Sequence, residues 1–170
     1  MEQEKALTIN KEKIFSLAWF TTLLVITMAA PLMHNQAITG PLVNATLFIA
    51  VLVLGTKKAL FVGIIPSIVA LSVGTLPGPL APMVPFIMIS NVILIAVFGW
   101  LKNKNYWLGV FTASALKFVF LFSTSFVVIN FFFKKELAAQ IAGMMSWSQF
   151  ITAFGGGIIA YVFFRIVRTK

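Results

Sequence analysis

Apolar segments occur six times along this chain, and each is bounded by polar residues or by Pro and Gly. A helix rises about 1.5 Å per residue and the hydrocarbon core of a bilayer is about 30 Å thick, so about 20 apolar residues can cross a membrane. Charges are scarce as well: 10% of the 170 residues are charged, against about 25% in soluble globular proteins. The sequence therefore predicts an all-α integral membrane protein.

The predicted helices form one transmembrane domain that covers residues 1–170. Their approximate bounds are 14–33, 42–54, 59–73, 83–101, 106–133 and 147–167. The second and third cover only about 20 Å each, so we expect them to lie inside the bundle. No small-residue cleavage site follows the charged first thirteen residues, so the first helix is predicted to be retained and not removed as a signal peptide.

The loop charges predict an orientation, because Lys and Arg accumulate on the cytoplasmic side of a membrane. Lys117 lies within a predicted helix, and Lys134 and Lys135 lie on the other side. The remaining basic residues all fall on one side of the six-helix arrangement: Lys5, Lys11, Lys13, Lys57, Lys58, Lys102, Lys104, Arg165, Arg168 and Lys170. Both termini are therefore predicted to be cytoplasmic. Basic residues scattered over short turns beside membrane lipid do not predict nucleic-acid binding.

The two outer connections, 31–41 (PLMHNQAITGP) and 74–82 (GTLPGPLAP), contain no charged residue. Proline lowers the entropy lost on ordering, so both segments are expected to be stiff. They are either rigid lids folded over the outer end of the bundle or simply stiff connectors.

Lys117 is the candidate with the most direct chemical consequence. It lies about 16 Å along the fifth helix from Tyr106, near the bilayer midplane. Ser114, Leu121 and Thr124 share its helical face, which is typical of a cavity-lining stripe. No acid lies within another predicted helix. Either Lys117 binds an anionic or carbonyl group of a ligand, or hydroxyls and carbonyls hold it without a ligand.

Further candidates for a ligand pocket lie near the outer ends of the helices. Asn91 could offer a ligand a donor and an acceptor or could join two helices, and Trp147 could stack on a planar ring or anchor at the interface. The full set of predicted ligand-binding residues is Lys117, Asn91, Trp147, Gln149, Met88, Thr124, His34, Asn35 and Asn44.

Other patterns narrow the function. Residues 153–160 repeat small side chains at i, i+4 spacing, which predicts a close helix-packing surface. The chain has no Cys, one His and four acids, and it lacks the phosphate-binding glycine loop, HExxH and G-x-S-x-G. No catalytic residues, metal site or cofactor are predicted, and the chain is not expected to be an enzyme.

Two segments carry a resemblance to a known family: MVPFIMISN (Met83–Asn91) and MMSWSQFITAFGGG (Met144–Gly157). With six predicted spans and both termini inside, the chain resembles an S component, the substrate-binding subunit of an energy-coupling factor (ECF) transporter, within the group of unassigned substrate. The resemblance implies a vitamin or related micronutrient bound near the outer side, between helices four to six. It also implies a bacterial cell membrane, a T-type membrane subunit and two ATPase subunits that hydrolyse ATP.

The same resemblance implies that the S component topples in the membrane to release its ligand inward. It further implies docking to the T subunit through a small-residue pattern in the first helix, for which Ala18 and Thr22 are the nearest match. Two alternatives from other classes stay open. One is a small autonomous oligomeric channel or facilitator with Lys117 in a pore, and the other is an accessory subunit without a ligand.

Overall fold

The structure, a computed structural model, describes residues 2–33, 35–72, 78–132, 142–143 and 145–168. These residues contain no β-strand, as the sequence predicted. Two short 3₁₀ helices, Ala30–Met33 and Gly78–Met83, lie in the connections. The long helices are α1 (Glu2–Ala29), α2 (Gln36–Val53), α3 (Thr56–Ser72), α4 (Val84–Leu101), α5 (Tyr106–Phe132) and α6 (Trp147–Arg168).

Helix α2 begins earlier than predicted, at Gln36 and not at residue 42. The Asn35 side chain caps the helix by accepting a hydrogen bond from the Ala37 N–H at 3.0 Å, and the Asn35 carbonyl accepts one from the Thr39 N–H at 2.8 Å. Pro41 lies in the second turn, where its missing N–H removes one backbone hydrogen bond. Much of the predicted first outer connection is therefore helix.

The proline-rich stretch before α4 forms a 3₁₀ helix that ends at Met83. Helix α4 then begins at Val84, with Pro85 in its first turn. Proline is tolerated there because the first N–H groups of a helix have no partner within it. Residues 74–77 of the predicted second outer connection lie outside the described residues.

The central helix of the bundle is α2, whose residues 44–51 are all buried. It packs against α1, α3, α4 and α6, and its contact with α6 is the most extensive in the bundle. Helices α4 and α5 form the next largest contact. Trp19 of α1 meets Phe163 of α6 edge-on, with ring centroids 5.9 Å apart, so α1 and α6 also contact each other.

The half of the bundle nearer the α2–α3 and α4–α5 turns is filled by aromatic side chains. The rings of Phe48 and Phe98 meet edge-on with centroids 4.7 Å apart, and Tyr106 lies 5.4 Å from Phe98. The Tyr106 hydroxyl donates a hydrogen bond to the Gly157 carbonyl at 2.7 Å. This hydrogen bond joins the start of α5 to the middle of α6.

The outer surface of the bundle is apolar, with Phe15, Trp100 and Phe126 among its most exposed side chains. Four helices of the described residues are long and apolar enough to cross a membrane, over Lys11–Met33, Ala81–Leu101, Tyr106–Ile129 and Trp147–Val167. Soluble monomers rarely expose so much contiguous apolar surface. These features are compatible with a protein embedded in a membrane, while crossing by α2 and α3 and the orientation of the termini stay predictions.

Candidate functional site

Lys117 joins three helices in the interior of the bundle. Its ammonium group donates hydrogen bonds to Asn44 Oδ1 of α2 and Asn91 Oδ1 of α4, both at 2.7 Å. All three side chains are at least 95% buried, with exposures of 4%, 3% and 5% for Lys117, Asn44 and Asn91. The structure therefore brings together three of the predicted ligand-binding residues in one cluster.

The orientation of both amides is fixed by a second layer of hydrogen bonds. Asn44 Nδ2 donates to the Gly40 carbonyl at 2.9 Å, and Asn91 Nδ2 donates to the Gly63 carbonyl at 3.0 Å. Because each amide nitrogen is committed to a backbone carbonyl, each amide oxygen is turned toward Lys117. An ammonium group has three N–H donors, so these contacts leave the third for another partner.

A cavity of about 180 Å³ adjoins this cluster and is lined by residues of all six helices or the turns that continue them. Its polar lining beyond the cluster comes from Thr27, Thr39, Ser67 and Gln149. Its apolar lining includes Val43, Leu47, Val62, Val84 and Ile87. These positions lie toward the end of the bundle that carries the α1–α2, α3–α4 and α5–α6 connections, which is the end that the charge pattern predicts to be outside.

Among the side chains that the structure describes, no carboxylate contacts Lys117. The four acids of the chain are Glu2, Glu4 and Glu12 near the start of α1 and Glu136 outside the described residues. Glu12 lines a different pocket, together with Lys13 and Lys58. A buried ammonium group held only by neutral amides favours a negatively charged or strongly polar partner.

The other predicted residues are spread over several environments. Gln149 lines the cavity, whereas Met88 is half-buried and outside the lining. Thr124 donates to the Phe120 carbonyl of its own helix at 2.8 Å, and Asn35 is the exposed cap of α2. His34 lies outside the described residues.

Trp147 occupies the surface and not the cavity lining. Its side chain is 66% exposed, and its ring stacks on Phe118 of α5 with centroids 4.9 Å apart. This placement fits the predicted alternative of an aromatic anchor at the membrane interface. Ala18 and Thr22, the predicted docking residues, lie on the exposed face of α1.

Sequence reasoning missed three hydroxyl residues of the cavity lining: Thr27, Thr39 and Ser67. Thr27 donates to the Leu23 and Leu24 carbonyls, at 3.1 and 2.9 Å, and Thr39 donates to the Ala30 carbonyl at 3.0 Å. A polar residue within an apolar helix was the available signal, but Thr and Ser are common there because they bond to their own helix backbone.

No protein-family model, curated protein or solved structure matches this chain. The site is therefore interpreted from its own chemistry. That chemistry consists of one buried cation, two amide oxygens turned toward it, and a small cavity of mainly aliphatic lining with hydroxyl groups toward one end.

Proposed function

We propose that this chain is a membrane-embedded binding subunit that holds a vitamin-like or other small micronutrient in the cavity beside Lys117. In this proposal it is the S component of an ECF-type importer in a bacterial cell membrane. A T-type membrane subunit and two ATPase subunits supply the energy, and the ligand enters from the outer side. The chain itself carries out no ATP hydrolysis.

The observation that carries the proposal is the buried cluster of Lys117, Asn44 and Asn91 next to the cavity. Ionisable residues inside membrane proteins are costly and usually mark a substrate or ion site. The exposed positions of Ala18 and Thr22 also leave that face of α1 accessible to a T-type subunit. The resemblance in sequence supplies the transporter class.

We expect Lys117→Ala to weaken ligand binding by about tenfold to a hundredfold or more, because a hydrogen bond to a charged group is lost. Native mass spectrometry of the gently purified protein measures this loss as the disappearance of a co-purified small molecule. Lys104→Ala is the matched control, since Lys104 is exposed and lies over the Trp100 ring. Unchanged occupancy in a folded Lys117→Ala variant would contradict a binding role for Lys117.

Coexpression with T-type and ATPase subunits tests the transporter class. The ligand should be retained by the protein alone and released from the complex when ATP is hydrolysed. A protein that ignores these subunits, carries no ligand and forms a discrete homo-oligomer would instead favour the channel or facilitator.

A further inference from the structure

The polar lining of the cavity consists of one cationic donor, Lys117, and several neutral groups. Asn44 and Asn91 each donate one amide N–H to a backbone carbonyl, and the hydroxyls of Thr27 and Thr39 also donate to backbone carbonyls. The third N–H of Lys117 is the charged donor that these contacts leave for a ligand. The two threonine hydroxyls present lone pairs, which accept hydrogen bonds.

Ser67 and Gln149 are the other polar side chains of the lining, and they lie away from Lys117 along the cavity. The Gly63 carbonyl of α3 accepts a hydrogen bond from Asn91, and Ser67 lies one helical turn beyond Gly63. Gln149 lies in the first turn of α6. A ligand thus meets a positive charge at the inner end of the cavity and neutral polar groups nearer the connections.

The single positive charge of the site matches a ligand that carries one negative charge. Lys117 is the only Lys, Arg or His in the described lining of the cavity. A carboxylate carries one charge, whereas a phosphate monoester carries about −1.5 to −2 at neutral pH. Phosphate sites usually combine several donors from a helix N-terminus or from Arg. The two amide oxygens beside the ammonium group would repel the additional charge of a phosphate.

The size of the cavity limits the rest of the ligand. An apolar cavity of about 150 Å³ accommodates benzene, whereas pockets for drug-sized ligands have volumes of about 300–1,000 Å³. The cavity here, at about 180 Å³, therefore fits a single small ring or a short branched chain with one carboxylate. Aliphatic side chains such as Val43, Val62 and Ile87 favour an apolar body.

We propose that the cavity binds a small monocarboxylate with a compact apolar body, its carboxylate accepting the third N–H of Lys117 between Asn44 and Asn91. This inference rests on the proposed binding function and narrows its ligand. It selects a molecule smaller than most vitamins and excludes phosphorylated ligands.

Matched pairs of acids and amides test the proposal, because each pair keeps its shape and differs in charge. The probes are benzoate with benzamide and cyclohexanecarboxylate with its primary amide, titrated into the full chain in lipid nanodiscs. Thermal unfolding measures the apparent affinity through the rise in Tm. We expect at least one acid to bind saturably, and roughly tenfold to a hundredfold more tightly than its amide.

Variants separate the site from non-specific effects. Lys117→Met should remove the preference for the acid, and Lys104→Met should keep it. Lys117→Arg, which keeps the charge, provides the second variant if Lys117→Met does not fold, and it should still prefer the acid. Equal affinity for acid and amide, no binding of any probe, or an acid preference that survives Lys117→Met would overturn the proposal.

The co-purified ligand distinguishes this inference from the proposed function. A monocarboxylate in the mass spectrum supports both. A neutral or phosphorylated molecule that Lys117→Ala releases would overturn the monocarboxylate assignment and leave the binding function in place. An empty protein that also binds none of the probes would overturn both.

Discussion

The ammonium group of Lys117 is buried among neutral groups, and its hydrogen bonds must be weighed against the cost of burying its charge. Hydrogen bonds to a charged group contribute about 1.5–3 kcal/mol each. Removing an ammonium group from water costs several kcal/mol, which is of the same order as the combined contribution of the bonds to Asn44 and Asn91. The cluster is therefore an inefficient way to stabilise the bundle and an effective way to hold a charge in a fixed position.

We expect Asn91→Leu and Lys117→Met to be coupled by about 1.5–3 kcal/mol in a double-mutant cycle of unfolding. The reason is that Asn91→Leu alone leaves the ammonium group with fewer acceptors, whereas in the Lys117→Met background that loss no longer arises. Reversible unfolding in detergent measures the four free energies. The control cycle pairs Lys117→Met with Asn103→Leu at the exposed α4–α5 turn and should be additive. Additivity in the Asn91 cycle would contradict the hydrogen bond.

The residue types of this cluster could be predicted, but their mutual contacts could not. Lys117, Asn91 and Asn44 stand out in the sequence because polar groups within apolar helices are rare. Their direct hydrogen bonds depend on how α2, α4 and α5 are rotated about their axes, and no local pattern determines that. Trp147 and Gln149 illustrate the same limit: they are two residues apart, yet Trp147 lies on the surface and Gln149 lines the cavity.

At the scale of elements, the close approach of α6 to α2 positions Asn44. A Cβ atom at Gly156 would lie 2.7 Å from the Ala45 backbone nitrogen and 2.7 Å from Asn44 Cβ. Real Cβ atoms essentially never approach other heavy atoms so closely, so any larger residue must push the helices apart. The small-residue pattern of α6 thus packs against the helix that carries one acceptor of Lys117.

We expect Gly156→Ala to destabilise the bundle by about 1–3 kcal/mol, because overpacking a close contact shifts the backbone. Gly155→Ala is the matched control on the neighbouring position, where an added Cβ meets nothing within 4 Å. That change should be neutral or stabilise by up to about 1 kcal/mol, since Ala is the better helix former. Thermal unfolding of both variants measures the difference, and equal Tm values would contradict the contact.

The helices could be predicted from hydropathy more readily than their ends. The starts of α5 and α6 coincide with polar-to-apolar transitions at Tyr106 and Trp147, and the structure begins both helices there. The predicted start of α2 was wrong by six residues because Gly40 and Pro41 indicated a connection. The cap at Asn35 and the hydrogen bond from the Thr39 hydroxyl to the Ala30 carbonyl, in the 3₁₀ helix after α1, outweigh that local preference.

At the scale of the whole molecule, chemical labelling can test on which side of the membrane each end of the bundle lies. Met33 lies in the α1–α2 connection and is exposed, and Asn103 is exposed in the α4–α5 turn at the other end. The chain contains no cysteine, so single substitutions introduce unique labelling sites.

We expect a membrane-impermeant maleimide to label Met33→Cys from outside intact cells and Asn103→Cys only after the membrane is opened. The physical reason is the concentration of Lys and Arg at the end that carries Asn103. The cysteine-free parent chain is the control and should not be labelled. A reversed pattern would contradict the orientation, and labelling of both sites from outside would contradict a membrane-spanning bundle.

The aromatic packing of Phe48, Phe98 and Tyr106 has a consequence for how a solute could move. Within the described residues, this packing lies between the cavity and the opposite end of the bundle. A ligand in the proposed site beside Lys117 would therefore leave through the end of the bundle by which it entered. In the proposed transport role, passage across the membrane would therefore require the protein itself to change its conformation or its orientation in the membrane.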